Sequence, residues 1–173
     1  MKSLESYLFY TNVQLGASYD TSLRAAARVN EGLRAAALLM NAASTDEIVP
    51  GHSSTMVTEN LSRAMGPTLE PGAEIIVTDF DHEANIGCWC RMAKLHGAVI
   101  RVWKINPATR RAEIDDLAQL LSPRTRLVAC TQTSNITGAI VNVREIADLV
   151  HTIPGAEVLY AIVRSSVMLL TFS

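Results

Sequence analysis

Three polar segments hold the side chains that can do chemistry. Thr133-Ser134-Asn135-Ile136-Thr137-Gly138 follows the apolar run Leu127-Val128-Ala129-Cys130, which reads as a buried strand. Small hydroxyl and amide residues ending in Gly, after a parallel strand, lie where open α/β sheets bind ligands. The Asn135 amide can donate to a ring oxygen, and Gly138 allows close backbone approach. The same residues also suit an ordinary turn. Thr78-Asp79-Phe80-Asp81-His82-Glu83-Ala84-Asn85 likewise follows a strand. His82, flanked by carboxylates, can stack on a planar ligand or move a proton. It can equally belong to a polar loop that caps the next helix. A metal site is not predicted, because His82 and Asp81 lack a matching second pair at ligand spacing. Gly51-His52-Ser53-Ser54-Thr55 precedes a helix. Hydroxyls and free N–H groups at a helix start suit phosphate, and they also make a plain N-cap. There is neither a P-loop nor a G-x-G-x-x-G, so a nucleotide motif is unsupported.

The elements that must position these residues alternate at short spacing. The pattern predicts helices from Leu23 to about Ala42, Met56 to Met65, Asn85 to His96, Ile114 to Leu121 and Val143 to His151. Ala, Leu and Arg make the first of these a strong helix former. Asp20-Thr21-Ser22 offers it capping side chains. Gly97 stops the third, and Glu113, Asp115 and Asp116 suit the first turn of the fourth. Strands are predicted over Glu74–Thr78, Ala98–Trp103, Leu127–Thr131 and Val158–Val163, with Ile48–Gly51 a short strand or its end. Tyr7 to Tyr19 reads as extended and loop-like, and the last ten residues show no clear period. Alternating strands and helices imply βαβ units. The predicted fold is α/β and three-layered: a mostly parallel sheet with helices on both faces.

A chain of 173 residues can bury one real core. Net charge is -2 with scattered Lys and Arg, which argues against a nucleic-acid groove. No apolar run is long enough to span a bilayer, and the N-terminus lacks a signal-peptide core. Cys88, Cys90 and Cys130 make no disulfide framework, so a reducing, cytoplasmic setting is expected. Cys88-x-Cys90 reads as ordinary packing. His52, His96 and His151 read as loop or surface residues, and Trp89 and Trp103 as core or interface aromatics.

In order and spacing the segments resemble the class V aminotransferase and cysteine desulfurase family, fold-type I enzymes that use pyridoxal 5′-phosphate. The matches are Ser53-Ser54-Thr55 with Asn60-Leu61, Pro71-Gly72-Ala73-Glu74-Ile75-Ile76-Val77, Asp81-His82-Glu83-Ala84-Asn85-Ile86-Gly87-Cys88-Trp89, Pro123-Arg124-Thr125-Arg126-Leu127-Val128 and Ser134-Asn135-Ile136-Thr137-Gly138. Thr11 to Tyr19 looks like the substrate-side stretch of one branch. The resemblance covers about Asn12 to Leu159. It implies a partial pyridoxal-phosphate-binding large domain over 1–163, with 164–173 a tail outside the family pattern. It implies that Ser54 and Thr55 hold the cofactor phosphate, that His82 stacks on the pyridine ring and that Asn135 bonds the ring hydroxyl. The parent would act on a small-molecule amino acid through an imine, as a homodimer.

Two family features have no match. The Asp that pairs with the pyridine nitrogen falls near Ala161, and Tyr160-Ala161-Ile162-Val163-Arg164 holds no carboxylate. The lysines are Lys2, Lys94 and Lys104, none in the family's Ser-x-His-Lys context. No Schiff-base lysine is therefore assigned, and no catalytic residue. The expectation is a truncated family member that does not turn over alone. The alternatives are a non-catalytic phosphate-binding module and a dimerisation partner of a full-length paralogue.

Overall fold

The structure, a computed structural model, describes residues 2–162 and 167–171. The chain divides into two units, Met1–Pro50 and Gly51–Ser173.

The first unit is helical. Helix α1 spans Lys2–Tyr10, where an extended segment was predicted from Tyr7 onward. None of its residues is buried, so it lacks the core-facing stripe by which a helix is read from sequence. Helix α2 spans Asp20–Met40. The predicted capping by Asp20, Thr21 or Ser22 is not made; Tyr19 is the N-cap and gives no side-chain bond. Ser22 turns instead to the preceding loop. Its Oγ donates to Gln14 O at 2.8 Å and accepts from Ala17 N–H at 3.1 Å. Asn41 closes α2 in the left-handed conformation, which Asn tolerates better than most residues. The expected strand at Ile48–Gly51 does not form. Among the described residues it pairs with no strand, Pro50 cannot donate to a ladder, and Val49 is 77% exposed.

The second unit is the α/β sheet. Its elements are α3 (Ser54–Met65), β1 (Glu74–Thr78), α4 (Glu83–His96), β2 (Val99–Trp103), α5 (Ile114–Leu120), β3 (Thr125–Thr131), α6 (Val143–Val150), β4 (Glu157–Ile162) and β5 (Val167–Thr171). Strand order is β2-β1-β3-β4-β5. The first four run parallel, and β5 returns antiparallel along β4. The tail read as patternless thus supplies an edge strand.

Alternation along the strands decides which helix covers which face. Ile75, Val77, Leu127, Ala129 and Leu159 point one way and meet Cys88, Trp89 and Ala93 of α4, with Leu61 and Met65 of α3. Ile76, Val128, Cys130 and Val158 point the other way and meet Leu117 of α5 and Ile146 and Val150 of α6. Three layers follow. Phe80 and Trp103 pack edge to face on the second side, with centroids 5.8 Å apart.

The order of strands fixes where a ligand can sit. From β1 the chain crosses by α4 to β2. It then crosses by α5, on the opposite face, to β3 on the other side of β1. Loops leaving β1 and β3 therefore diverge at their carboxyl ends. That is the switch point where open α/β sheets open a crevice.

Candidate functional site

Both loops at the switch point carry predicted site residues. After β1 the chain turns through Asp79–His82 into α4. His82 is the N-cap of α4, and its Nδ1 accepts from Ala84 N–H at 3.0 Å. The capping role and an open ring are compatible. Accepting at Nδ1 places the ring proton at Nε2, and the imidazole stays exposed.

After β3 the chain forms a tight hairpin. Ser134 N–H donates to Ala139 O, Gly138 N–H to Ser134 O and Val141 N–H to Gln132 O. Gly138 sits at φ +72°, a conformation that Gly adopts without strain. Asn135 lies at the exposed tip.

Ser53 caps α3, its Oγ accepting from Met56 N–H at 3.2 Å. The exposed Ser54 and Thr55 lie in the first turn of α3, whose leading N–H groups have no partner within the helix. Helices α3 and α4 run in the same sense: Ser62 lies beside Cys88, and Gly66 lies against Met92 and His96 one turn further on. Both helices consequently begin at the carboxyl edge of the sheet. Ser54, Thr55, His82 and Asn135 all belong to that edge, and all four are exposed. A cleft of about 640 Å³ opens nearby, between the Arg111–Ile114 segment and Gly138–Asn142. It is lined by Gly138 but by none of those four residues.

Beneath the exposed residues lies a buried polar layer. Asp81, Asn85 and Ser134 are 5%, 4% and 2% exposed. Asp81 accepts from His82 N–H and from Asn85 Nδ2, each at 2.6 Å. Burial pushes the Asp81 carboxyl above its usual range, against the lowering pull of the Asn85 and His82 bonds. Asn85 Nδ2 also reaches Cys130 O on β3 at 3.4 Å. Ser134 Oγ donates to Phe80 O at 2.7 Å. All three residues lie inside the polar segments after β1 and β3, where nothing in the local pattern marks them as buried. The Asp81, Asn85 spacing of four across a helix start was the available signal of their pairing.

Burial raises all three thiols above their ordinary value, which disfavours the thiolate. Burial pushes the Cys88 thiol up to about 11 and that of Cys130 up to about 12. All three cysteines are unpaired. Among the described residues no cluster of His, Cys, Asp or Glu could hold a metal ion, and no helix is long and apolar enough to cross a membrane. Lys94 lies in the last turn of α4, at the opposite end of the sheet. Lys104 follows edge strand β2, which β1 separates from β3.

Fold and site together define an α/β protein with exposed polar loops at the switch point of a mostly parallel sheet. The sequence profile of the family described as Aminotransferase class-V matches residues 1–165, and the chain belongs to that family. It is 46% identical over 157 residues to the aminotransferase-like protein FGM3 of Gibberella zeae, covering 90% of this chain and 38% of that protein. It is 40% identical over 117 residues to the cysteine desulfurase-like protein ustD of Aspergillus flavus, covering 64% and 26%. The fold matches the cysteine desulfurase CsdA (S-sulfonic acid) from Escherichia coli with a TM-score of 0.76 at 28% identity, over 91% of this chain and 39% of that one. The chain thus spans less than two-fifths of the length of these relatives.

Proposed function

We propose that the second unit is the cofactor-gripping part of a pyridoxal-phosphate enzyme of the class V aminotransferase and cysteine desulfurase type. In the whole protein this part would serve imine chemistry on a small-molecule amino acid. One observation carries the reading: the start of α3, the β1 loop and the β3 hairpin, matched in order to the family's binding segments, share one edge of the sheet.

The donor set fits such a cofactor. The Ser54 and Thr55 hydroxyls and the N-terminal N–H groups of α3 suit a phosphate dianion. The exposed imidazole of His82 can lie flat against a pyridine ring. The Asn135 amide can donate to a ring oxygen, holding the ring in register. When bound, pyridoxal phosphate supplies an electron sink for the substrate's amino-bearing carbon. The residues of this chain bind and orient. No partner for covalent attachment is assigned among them: Lys94 lies at the far end of α4, Lys2 lies in the first unit, and Lys104, which follows β2 beside Asp79 of the β1 loop, is not in the family's Ser-x-His-Lys context. Nor does Tyr160-Ala161-Ile162 bring a carboxylate to the carboxyl end of β4. Alone, the 173 residues bind without turning over. The unpaired cysteines suit a reducing compartment such as the cytosol.

Calorimetric titration of the purified chain with pyridoxal 5′-phosphate tests this. Saturable one-to-one binding is expected. Thr55→Ala, His82→Ala and Asn135→Ala should each weaken it by about three- to tenfold, the range of one hydrogen bond or contact. Borohydride reduction of the stoichiometric mixture should leave the intact mass unchanged. A reduced adduct lost in Lys104→Met would overturn the claim of no covalent partner. Absence of saturable binding would overturn the whole reading.

A further inference from the structure

Resting on that reading, we propose that Ser134, Asp81 and Asn85 are positioning residues: a buried polar staple that sets Asn135 and His82 relative to each other. The two groups sit on different loops, each leaving a different strand. Their spacing is therefore not fixed by either loop alone.

The staple crosses between the loops at two places. Ser134 Oγ donates to Phe80 O at 2.7 Å, tying the hairpin to the β1 loop two residues before His82. The same oxygen accepts from Ile136 N–H and Thr137 N–H, each at 3.2 Å, which wraps the backbone around Asn135. One hydroxyl thus uses its single donor and both lone pairs. Asp81 Oδ1 accepts from His82 N–H, holding the backbone of the exposed histidine. Asp81 Oδ2 accepts from Asn85 Nδ2, which reaches on to Cys130 O of β3. All three side chains are buried below the edge that His82 and Asn135 top. They touch no ligand position themselves and act only through the two exposed groups.

Acting through another residue has a measurable signature. Ser134→Ala should weaken pyridoxal-phosphate binding about as much as Asn135→Ala does, and the double variant should be no weaker than Asn135→Ala alone. Asp81→Asn should be non-additive in the same way with His82→Ala. A side chain that merely supports the fold would weaken binding independently, and its effect would add. Amide exchange supplies a second readout that needs no ligand and no variant. In the unaltered chain, Ile136 and Thr137 N–H should exchange at least about tenfold more slowly than in a free peptide, because Ser134 occupies them. Additive losses, or unprotected amides at 136 and 137, would overturn the staple. If His82→Ala and Asn135→Ala leave binding unchanged while the amides are protected, the binding reading fails and the staple is only structural. Should Ser134→Ala not fold, the exchange measurement still decides.

Discussion

At the scale of single residues, one substitution can carry opposite signs in different places. Gly138 sits at φ +72° with nothing within 4 Å of where a Cβ would stand. Gly32, inside α2, also has open space, but its backbone is helical. Gly138→Ala therefore meets no clash and incurs only the left-handed penalty, about 1–2 kcal/mol. Gly32→Ala removes backbone freedom from the unfolded chain at no steric cost, a gain of about 0.5–1 kcal/mol. Urea unfolding should show the two variants moving their midpoints in opposite directions. Gly138→Ala should also weaken pyridoxal-phosphate binding, since Asn135 rides on the same turn. A shift of the same sign for both would mean that sterics outside these positions dominate. The placement of His82 and Asn135 at the sheet edge was legible at this scale because each follows a strand, whereas Ser54 and Thr55 follow a segment that forms none. The layer below was not legible, since burial of Asp81, Asn85 and Ser134 depends on contacts between segments 45 and more positions apart, as Asn85 with Cys130 and Ser134 with Phe80.

At the scale of elements, stability concentrates in few side chains. Helix α5 has seven residues, too short to persist by propensity, and of these only Leu117 is buried. Leu117 is fully enclosed among β-strand and α6 side chains. Leu117→Ala should cost about 2–5 kcal/mol, with the α5 amides losing exchange protection first. A loss below about 1 kcal/mol would show that α5 is held by something other than this anchor. Elements of this kind were readable because their period matched their burial. Glu74–Thr78 came out with the bounds the structure gives, a five-residue strand buried throughout. α4 started two residues before its predicted bound and ended where Gly97 adopts φ +72°. The misses share one cause. α1 buries nothing, and β5 pairs only at the edge, so neither imprints a period. Ile48–Gly51 had strand-forming residues but no neighbouring strand to pair with.

At the scale of the whole molecule, the two ends of the sheet do different work. The carboxyl edge carries the exposed His82 and Asn135. The amino edge is locked by Glu74, 2% exposed at the start of the interior strand β1. Its carboxylate accepts from Ser122 Oγ at 2.7 Å and Arg124 Nη2 at 2.8 Å, with Arg101 Nη1 at 3.4 Å. Those partners stand on β2 and at the entry to β3, so one side chain fastens three strands. Burial alone would raise the Glu74 carboxyl. The Ser122 and Arg124 bonds and the Arg101 and Arg124 charges outweigh it, and the group sits below its ordinary value. Because the folded form binds its proton less tightly than the unfolded chain, Glu74 adds stability above the unfolded carboxyl value. That contribution is lost as pH falls through the folded one. Asp81, held above the ordinary range by burial, has the opposite sign: it favours folding more as it takes up its proton. Wild type and Glu74→Gln share Asp81, so their difference isolates the amino edge. Denaturant midpoints should separate most near neutral pH, with wild type the more stable, and converge as pH drops below about 4, where Glu carboxyls protonate. Parallel curves across that range would mean that the arginines stabilise the edge without the Glu74 charge, and that the sheet's acid sensitivity lies elsewhere.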